Sequence, residues 1–153
     1  MNKYALTFLI FIVILIFGFA NAIIKIVKKD LAIIKINETI FEVEVADTIL
    51  GRAKGLSGRK TLEENKGMLF LFKEPSKQSF WMAGMNFPLD IIWISGNEIV
   101  DISKNIQPPS VSWRSGELPA IVSPSMEVDK VLEIPAGSAD KFDIKAGDKL
   151  EYD

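Results

Sequence analysis

The sequence predicts an α+β domain that is mainly β, with a small barrel-like or sandwich core of seven or eight short strands and two short helices, behind an N-terminal transmembrane or signal helix. Three observations carry this reading. The run from Ala5 to Ile24 is almost wholly apolar and contains no charge. From Leu31 onward, apolar runs of strand length alternate with glycine-, asparagine- and proline-containing turns. Helix-start signals appear at only a few places and are followed by short apolar stretches.

The N-terminal segment has two readings. As an anchor, roughly 20 apolar residues cross a ~30 Å hydrocarbon core as one helix. As a signal peptide, Lys3 supplies the positive start and Ala20-Asn21-Ala22 has the small-x-small form that precedes cleavage, which would leave a secreted domain. Both place residues 5–24 in contact with a membrane. The expected organisation is residues 1–30 as anchor or signal and residues 31–153 as one domain, held on the extracytoplasmic side of the cell membrane in the anchored case. Lys25, Lys28 and Lys29 compete with Lys3 under the positive-inside rule, so side is not fixed by charge alone.

The strands follow in order. Ile33, Ile34 and Ile36, the Asn37-Glu38 turn, and Ile40, Phe41, Val43 and Val45 alternating with Glu42 and Glu44 form a hairpin with one wet face. Asp47 or Thr48 caps a short helix through Ile49, Leu50, Ala53 and Leu56. Thr61 and Glu64 have capping-box spacing for a second helical turn. Met68 to Phe72 are five consecutive apolar residues, the pattern of a strand covered on both faces. Strands are expected at Gln78–Met82, Leu89–Ser95 and Glu98–Ile102, the last two joined by Gly96-Asn97. Asn105 to Pro124 reads as irregular, holding four prolines with Trp113 and Arg114. A strand over Val128–Ile134, a short helix over Ala139–Phe142 and a closing strand at Lys149–Tyr152 complete the chain.

Composition excludes much chemistry. The chain has no histidine and no cysteine. This removes Ser-His-Asp and Cys-His catalysis, most zinc and copper sites, and thiolate-held cofactors. No Asp-x-Asp-x-Asp run offers a calcium loop, and no metal or cofactor is expected. Residues 1–30 hold Lys3, Lys25, Lys28, Lys29 and Asp30, which leaves residues 31–153 with 14 basic and 19 acidic side chains, a net charge of −5. No basic stripe is present, so nucleic acid is not an expected partner.

Asp90, between two aromatic-rich strand candidates, is the acid that most needs an explanation. Arg52 and Arg59 frame Gly55-Leu56-Ser57-Gly58, and either guanidinium suits a carboxylate; pairing with Asp90 or Asp47 would lock the helix onto the sheet. Trp81 and Trp93 sit in strands, where aromatics are usually core, whereas Trp113-Arg114 lies in a loop suited to surface recognition. The candidate ligand-binding residues are therefore Arg52, Arg59, Trp81, Asp90, Trp113 and Arg114, with no catalytic residue named.

Gly55-Leu56-Ser57-Gly58-Arg59, Leu62, Gly67 to Phe72, Phe80-Trp81-Met82, Pro88-Leu89-Asp90-Ile91, Val131-Leu132-Glu133 with Gly137, and Gly147-Asp148 occur in this order. Together they resemble the signatures of domain-of-unknown-function family 192, over nearly all of the chain from about Leu31. The resemblance implies a small, mainly β extracytoplasmic domain with no agreed activity. Many members carry Lys-Asn-Thr after the Phe-Trp-Met, where this chain has Ala83-Gly84-Met85. The leading expectation is a non-enzymatic, membrane-tethered ligand-binding or envelope-associated module whose site combines Trp81, Asp90 and an arginine under the Trp113 loop. The alternative is a carboxylate-dependent hydrolase or lyase acting on cell-envelope glycan through Asp90 and Glu133.

Overall fold

The computed structural model describes residues 10, 12–16, 31–109 and 119–152. Residues 10 and 12–16 are helical. No helix among the described residues is long and apolar enough to cross a membrane, and most of the apolar run from Ala5 to Ile24 lies outside them.

From Leu31 onward the described residues form nine strands and two short helices: β1 (Leu31–Ile36), β2 (Thr39–Ala46), α1 (Ile49–Lys54), β3 (Lys66–Ser76), β4 (Phe80–Trp81), β5 (Leu89–Ser95), β6 (Glu98–Ile106), β7 (Ile121–Val122), β8 (Val128–Pro135), α2 (Ser138–Lys141) and β9 (Leu150–Tyr152). Seven strands make one sheet in the order β6-β5-β8-β3-β2-β1-β9, and β4 pairs with β7 in a separate ribbon. Every neighbour is antiparallel except β2 and β3, which run parallel because the segment carrying α1 crosses between them.

The sheet curls into a half-barrel. Ile99 from the β6 edge packs in one buried cluster with Ile36 and Leu150 from the opposite edge, which a flat seven-stranded sheet forbids. A bridge between Glu98 and Lys149 joins those edges, supported by Ile99 N donating to Asp148 O and Leu150 N donating to Asn97 O, each at 2.8 Å. The concave cluster includes Phe41, Leu69, Ile92 and Leu132 and is closed by Ala139 and Ile144 around α2.

A second core covers the convex face, and it positions the site. Along β3 the strict period of two sends Leu69 into the concave cluster and Met68 and Phe70 into the convex one. The continuous apolar run thus serves both faces, as its sequence implies. Gly67 begins it: a Cβ there would lie 2.7 Å from the Glu133 carbonyl oxygen, so β8 approaches β3 only because this position lacks a side chain. The convex face is covered by Leu56, Met82 and Met85 and by the ring of Phe80. Phe80 packs edge-on against Phe70 at 4.8 Å and Trp93 at 5.6 Å between ring centroids. Trp93 is fully buried, its Nε1–H donating to Ser103 Oγ at 2.9 Å.

Most sequence-predicted elements form within a few residues of their expected bounds. Thr48 caps α1, accepting Gly51 N–H on its side-chain oxygen at 3.0 Å. The second helical turn predicted at Thr61 does not form: residues 61–65 are loop and turn, and Glu64 is drawn off to an ion pair with Lys141. Two short strands pair across the region expected to be irregular, since β7 lies inside it. Met82 N donates to Ala120 O, and the Ser79 and Ser123 hydroxyls meet at 2.9 Å, tying this ribbon together.

Candidate functional site

Asp90 is held inside the fold by backbone donors. It is 1% exposed, and both carboxylate oxygens accept backbone N–H groups, Oδ1 from Asn105 at 2.8 Å and Oδ2 from Ala139 at 2.9 Å. Asn105 sits in the left-handed region with φ 53°, a conformation asparagine tolerates, and this turns its N–H inward at the end of β6. The expected arginine partner is not there. Arg52 donates through Nη1 to the backbone carbonyls of Asp47 and Leu71 at 2.5 and 2.9 Å and lies 5.1 Å from the Phe72 ring centre. Arg59 forms a bidentate pair with Glu44 at 2.6 and 2.5 Å, which raises its pKa further above its ordinary value. Locking α1 and its following turn to the sheet is thus achieved by both arginines, but through β2 and β3 rather than through Asp90.

The Asp90–Glu133 pair does not form either. Across β5 and β8, Asp90 stands opposite Ile134 and Ile91 stands opposite Glu133. Successive side chains alternate, so the two carboxyl groups leave opposite faces of the sheet and cannot flank one glycosidic bond. Trp113 and Arg114 lie outside the described residues.

Trp81 is placed differently from an ordinary strand aromatic. In the two-residue β4, Phe80 takes the inward direction and Trp81 the outward one, leaving the indole 62% exposed. It stands at the rim of a cleft of about 310 Å³. One wall is Arg52, Lys54 and Ser57 from α1 and the turn after it; the other is Trp81, Ala83, Gly84 and Met85. Phe70 and Glu133 form the floor. The walls touch at Gly84, where a φ of 73° and a built Cβ 2.2 Å from Ser57 Oγ favour glycine over any residue with a side chain. Gly58 N donates to Gly84 O at 2.8 Å, and Asn86 Nδ2 donates to Arg59 O at 2.7 Å, so the two walls are fastened by backbone-directed bonds.

Glu133 is the chemically distinctive residue of this cleft. Only 6% of it is exposed, and its Oε2 has no hydrogen-bond partner among the described residues. Burial pushes its carboxyl up to about 8, against an opposing pull from the Arg59 charge. At neutral pH it is therefore mostly protonated and carries an O–H donor. Among the described residues it is the only acid lining the cleft. The sequence signal for it was an acid inside the apolar strand Val131-Leu132-Glu133-Ile134; Ser57 and Gly84 gave no comparable signal.

A larger depression of about 730 Å³ lies along β1 and β2, between Leu31, Ile40 and Tyr152, but no buried polar side chain lines it. Among the described residues, no group of three carboxylates is placed to hold a metal ion.

A solved structure from Sinorhizobium meliloti, described as a "putative transcription regulator", superposes with a TM-score of 0.73 at 28% identity, covering 82% of this chain and 96% of that one. A protein of unknown function from Novosphingobium aromaticivorans superposes with a TM-score of 0.69 at 30% identity, covering 79% of this chain and 84% of that one. No curated protein matches the chain. The model of the DUF192 family, described as "Uncharacterized ACR", matches residues 32–152. The strand order, the buried Asp90 and the motifs from Gly55 to Asp148 thus sit on a chain that belongs to the DUF192 family.

Proposed function

We propose that this chain is a membrane-tethered, extracytoplasmic and non-enzymatic ligand-binding module, and that the cleft over Glu133 is its binding site. The observation that carries the reading is a buried carboxyl with an unpartnered oxygen beneath an exposed tryptophan. A buried polar atom without a partner costs about 1–3 kcal/mol, and a ligand that supplies the missing bond recovers it. An indole 62% exposed and lining the same cleft offers a flat apolar contact surface. Among the described residues the cleft has no second acid, which favours binding over hydrolysis by a carboxylate pair.

The tether rests on the uncharged apolar run of residues 5–24, with Leu31 and Ile33 exposed shortly after it. The regulator description of the Sinorhizobium protein is not carried over, because residues 31–153 are net acidic and carry no basic stripe for a phosphate backbone.

Thermal-shift screening of the full chain against a chemically mixed panel of small molecules tests the site. Compounds that stabilise the native protein should lose their effect in Trp81→Ala. Hits that persist unchanged in Trp81→Ala and Glu133→Gln, or a panel without any hit, would refute it. Membrane retention after alkaline extraction tests the tether, and loss of residues 1–22 from the mature mass would replace it with secretion.

A further inference from the structure

Resting on the reading of the cleft as a binding site, we propose that its ligand is a small carboxylate joined to an apolar ring, with the carboxylate held between Glu133, Arg52 and Lys54 and the ring against Trp81. The charge distribution argues for an anion. Residues 31–153 have a net charge of −5, yet the side chains lining this cleft include two cations and a single acid. The acid is buried with one oxygen unpartnered, so in its neutral form it presents a donor and not a charge.

Neither cation is cancelled by a carboxylate among the described residues. Arg52 is oriented by two neutral carbonyls, those of Asp47 and Leu71, and Lys54 makes no ion pair there. Arg59, by contrast, is consumed by Glu44 and lies outside the cleft lining. An acid-to-carboxylate O–H···O⁻ bond is among the stronger hydrogen bonds, and a ligand anion can accept it while facing both cations. Apolar surface supplies the remainder: Phe70, Phe80, Trp81, Ala83 and Met85 surround the space where a ring attached to that carboxylate would lie. The Ala83-Gly84-Met85 wall contributes no charged or hydroxyl group, which favours an apolar body over a second polar headgroup.

The groups that face Glu133 are few. Arg59 with its Glu44 partner approaches from the turn after α1, and Arg52 and Lys54 line the same cleft. β3 and β5 place Met68 and Ile91 opposite it, and Lys66, further along β3, is tied to Glu42. Ionisation of Glu133 itself is therefore the change that sets the pH range of anion binding.

Calorimetric titration of the full chain with benzoate, benzamide, benzylamine and inorganic phosphate tests the proposal. At pH 6.5 benzoate should bind at least about ten-fold more tightly than the others, as expected when one charge-assisted bond is lost. Raising the pH to 9 should weaken benzoate about ten-fold in the native protein, one unit past the Glu133 midpoint, and leave Glu133→Gln, which keeps an N–H donor, unchanged. Lys54→Glu, at an exposed position, should weaken benzoate by at least ten-fold. Benzamide or benzylamine binding as well as benzoate, with Trp81→Ala removing both, would overturn the anion proposal and leave the binding site standing. Phosphate equal to benzoate would overturn the ring-bearing class. Benzoate affinity indifferent to pH or to Lys54→Glu would overturn the assignment of these groups, and no binding by any probe would overturn the proposal outright.

Discussion

Asp90 reaches from β5 to the first turn of α2, where its Oδ2 accepts the N–H of Ala139 at 2.9 Å, 49 residues further along the chain. The same carboxylate accepts Asn105 N–H, so one side chain joins the sheet, the end of β6 and a helix start. Gly137 precedes α2 without supplying a side-chain cap, and Asp90 fills that role from a distance.

Replacing Asp90 by asparagine turns one acceptor oxygen into a donor facing a backbone N–H. Urea unfolding should show a loss of about 2–3 kcal/mol, the scale of a buried charge-assisted bond. A loss under about 1 kcal/mol would mean that the carboxylate is not held as described.

Glu133 makes stability depend on pH in the opposite sense to a paired carboxylate. Its folded pKa of about 8 lies above the ordinary value of 4.5, so between these limits the folded state binds more protons than the unfolded one. Its contribution is fully present below about pH 4.5 and is lost as pH rises through 8. Glu133→Gln should therefore gain on the native protein from pH 5 to 8, reaching about 4 kcal/mol by pH 8. Parallel melts across that range check this, and curves that do not converge at low pH would contradict it.

The walls of the cleft are held at Gly84. Gly84→Ala brings a methyl group onto Ser57 Oγ in a left-handed backbone, and should destabilise the fold by about 1–2 kcal/mol. Combining it with Ser57→Gly removes the obstructing side chain and should recover part of that loss, whereas the strain from φ remains. Thermal melts of the single and double variants separate the two contributions.

Arg59 and Glu44 form a partly buried bidentate pair. A double-mutant cycle with Arg59→Gln and Glu44→Gln should give a coupling of about 1–2 kcal/mol, above that of an exposed ion pair. Because the Arg59 charge pulls the Glu133 pKa down, Arg59→Gln should also move the Glu133 midpoint upward.

How much of this was legible depends on the reach of each interaction. The run Met68 to Phe72, the Asn37-Glu38 and Gly96-Asn97 turns and the Thr48 cap act within a few residues, and their patterns predicted β3, two hairpins and α1 correctly. Asp90 announced itself as an acid in an apolar setting, but its partners are backbone groups, and no side-chain type marks those in a sequence. The same holds for Arg52, satisfied by two carbonyls. Two strand residues that look alike, Trp81 and Trp93, part company because one ends a two-residue strand and the other lies in β5, flanked by β6 and β8 and fully buried. The cleft itself arises where segments 52–57 and 81–85 meet over Glu133, a juxtaposition that only the crossing between β2 and β3 creates.

Glu133 is a protonated floor of the cleft, without a hydrogen-bond partner on Oε2 among the described residues. Carbon-detected NMR titration of its side-chain carboxyl, in the free protein and with saturating benzoate, measures this directly. The expected midpoint is about 8 in the free protein, moving upward with benzoate as the bound anion opposes ionisation. A midpoint at the ordinary carboxylate value of 4.5, or one near 8 that benzoate leaves unmoved, would contradict the account.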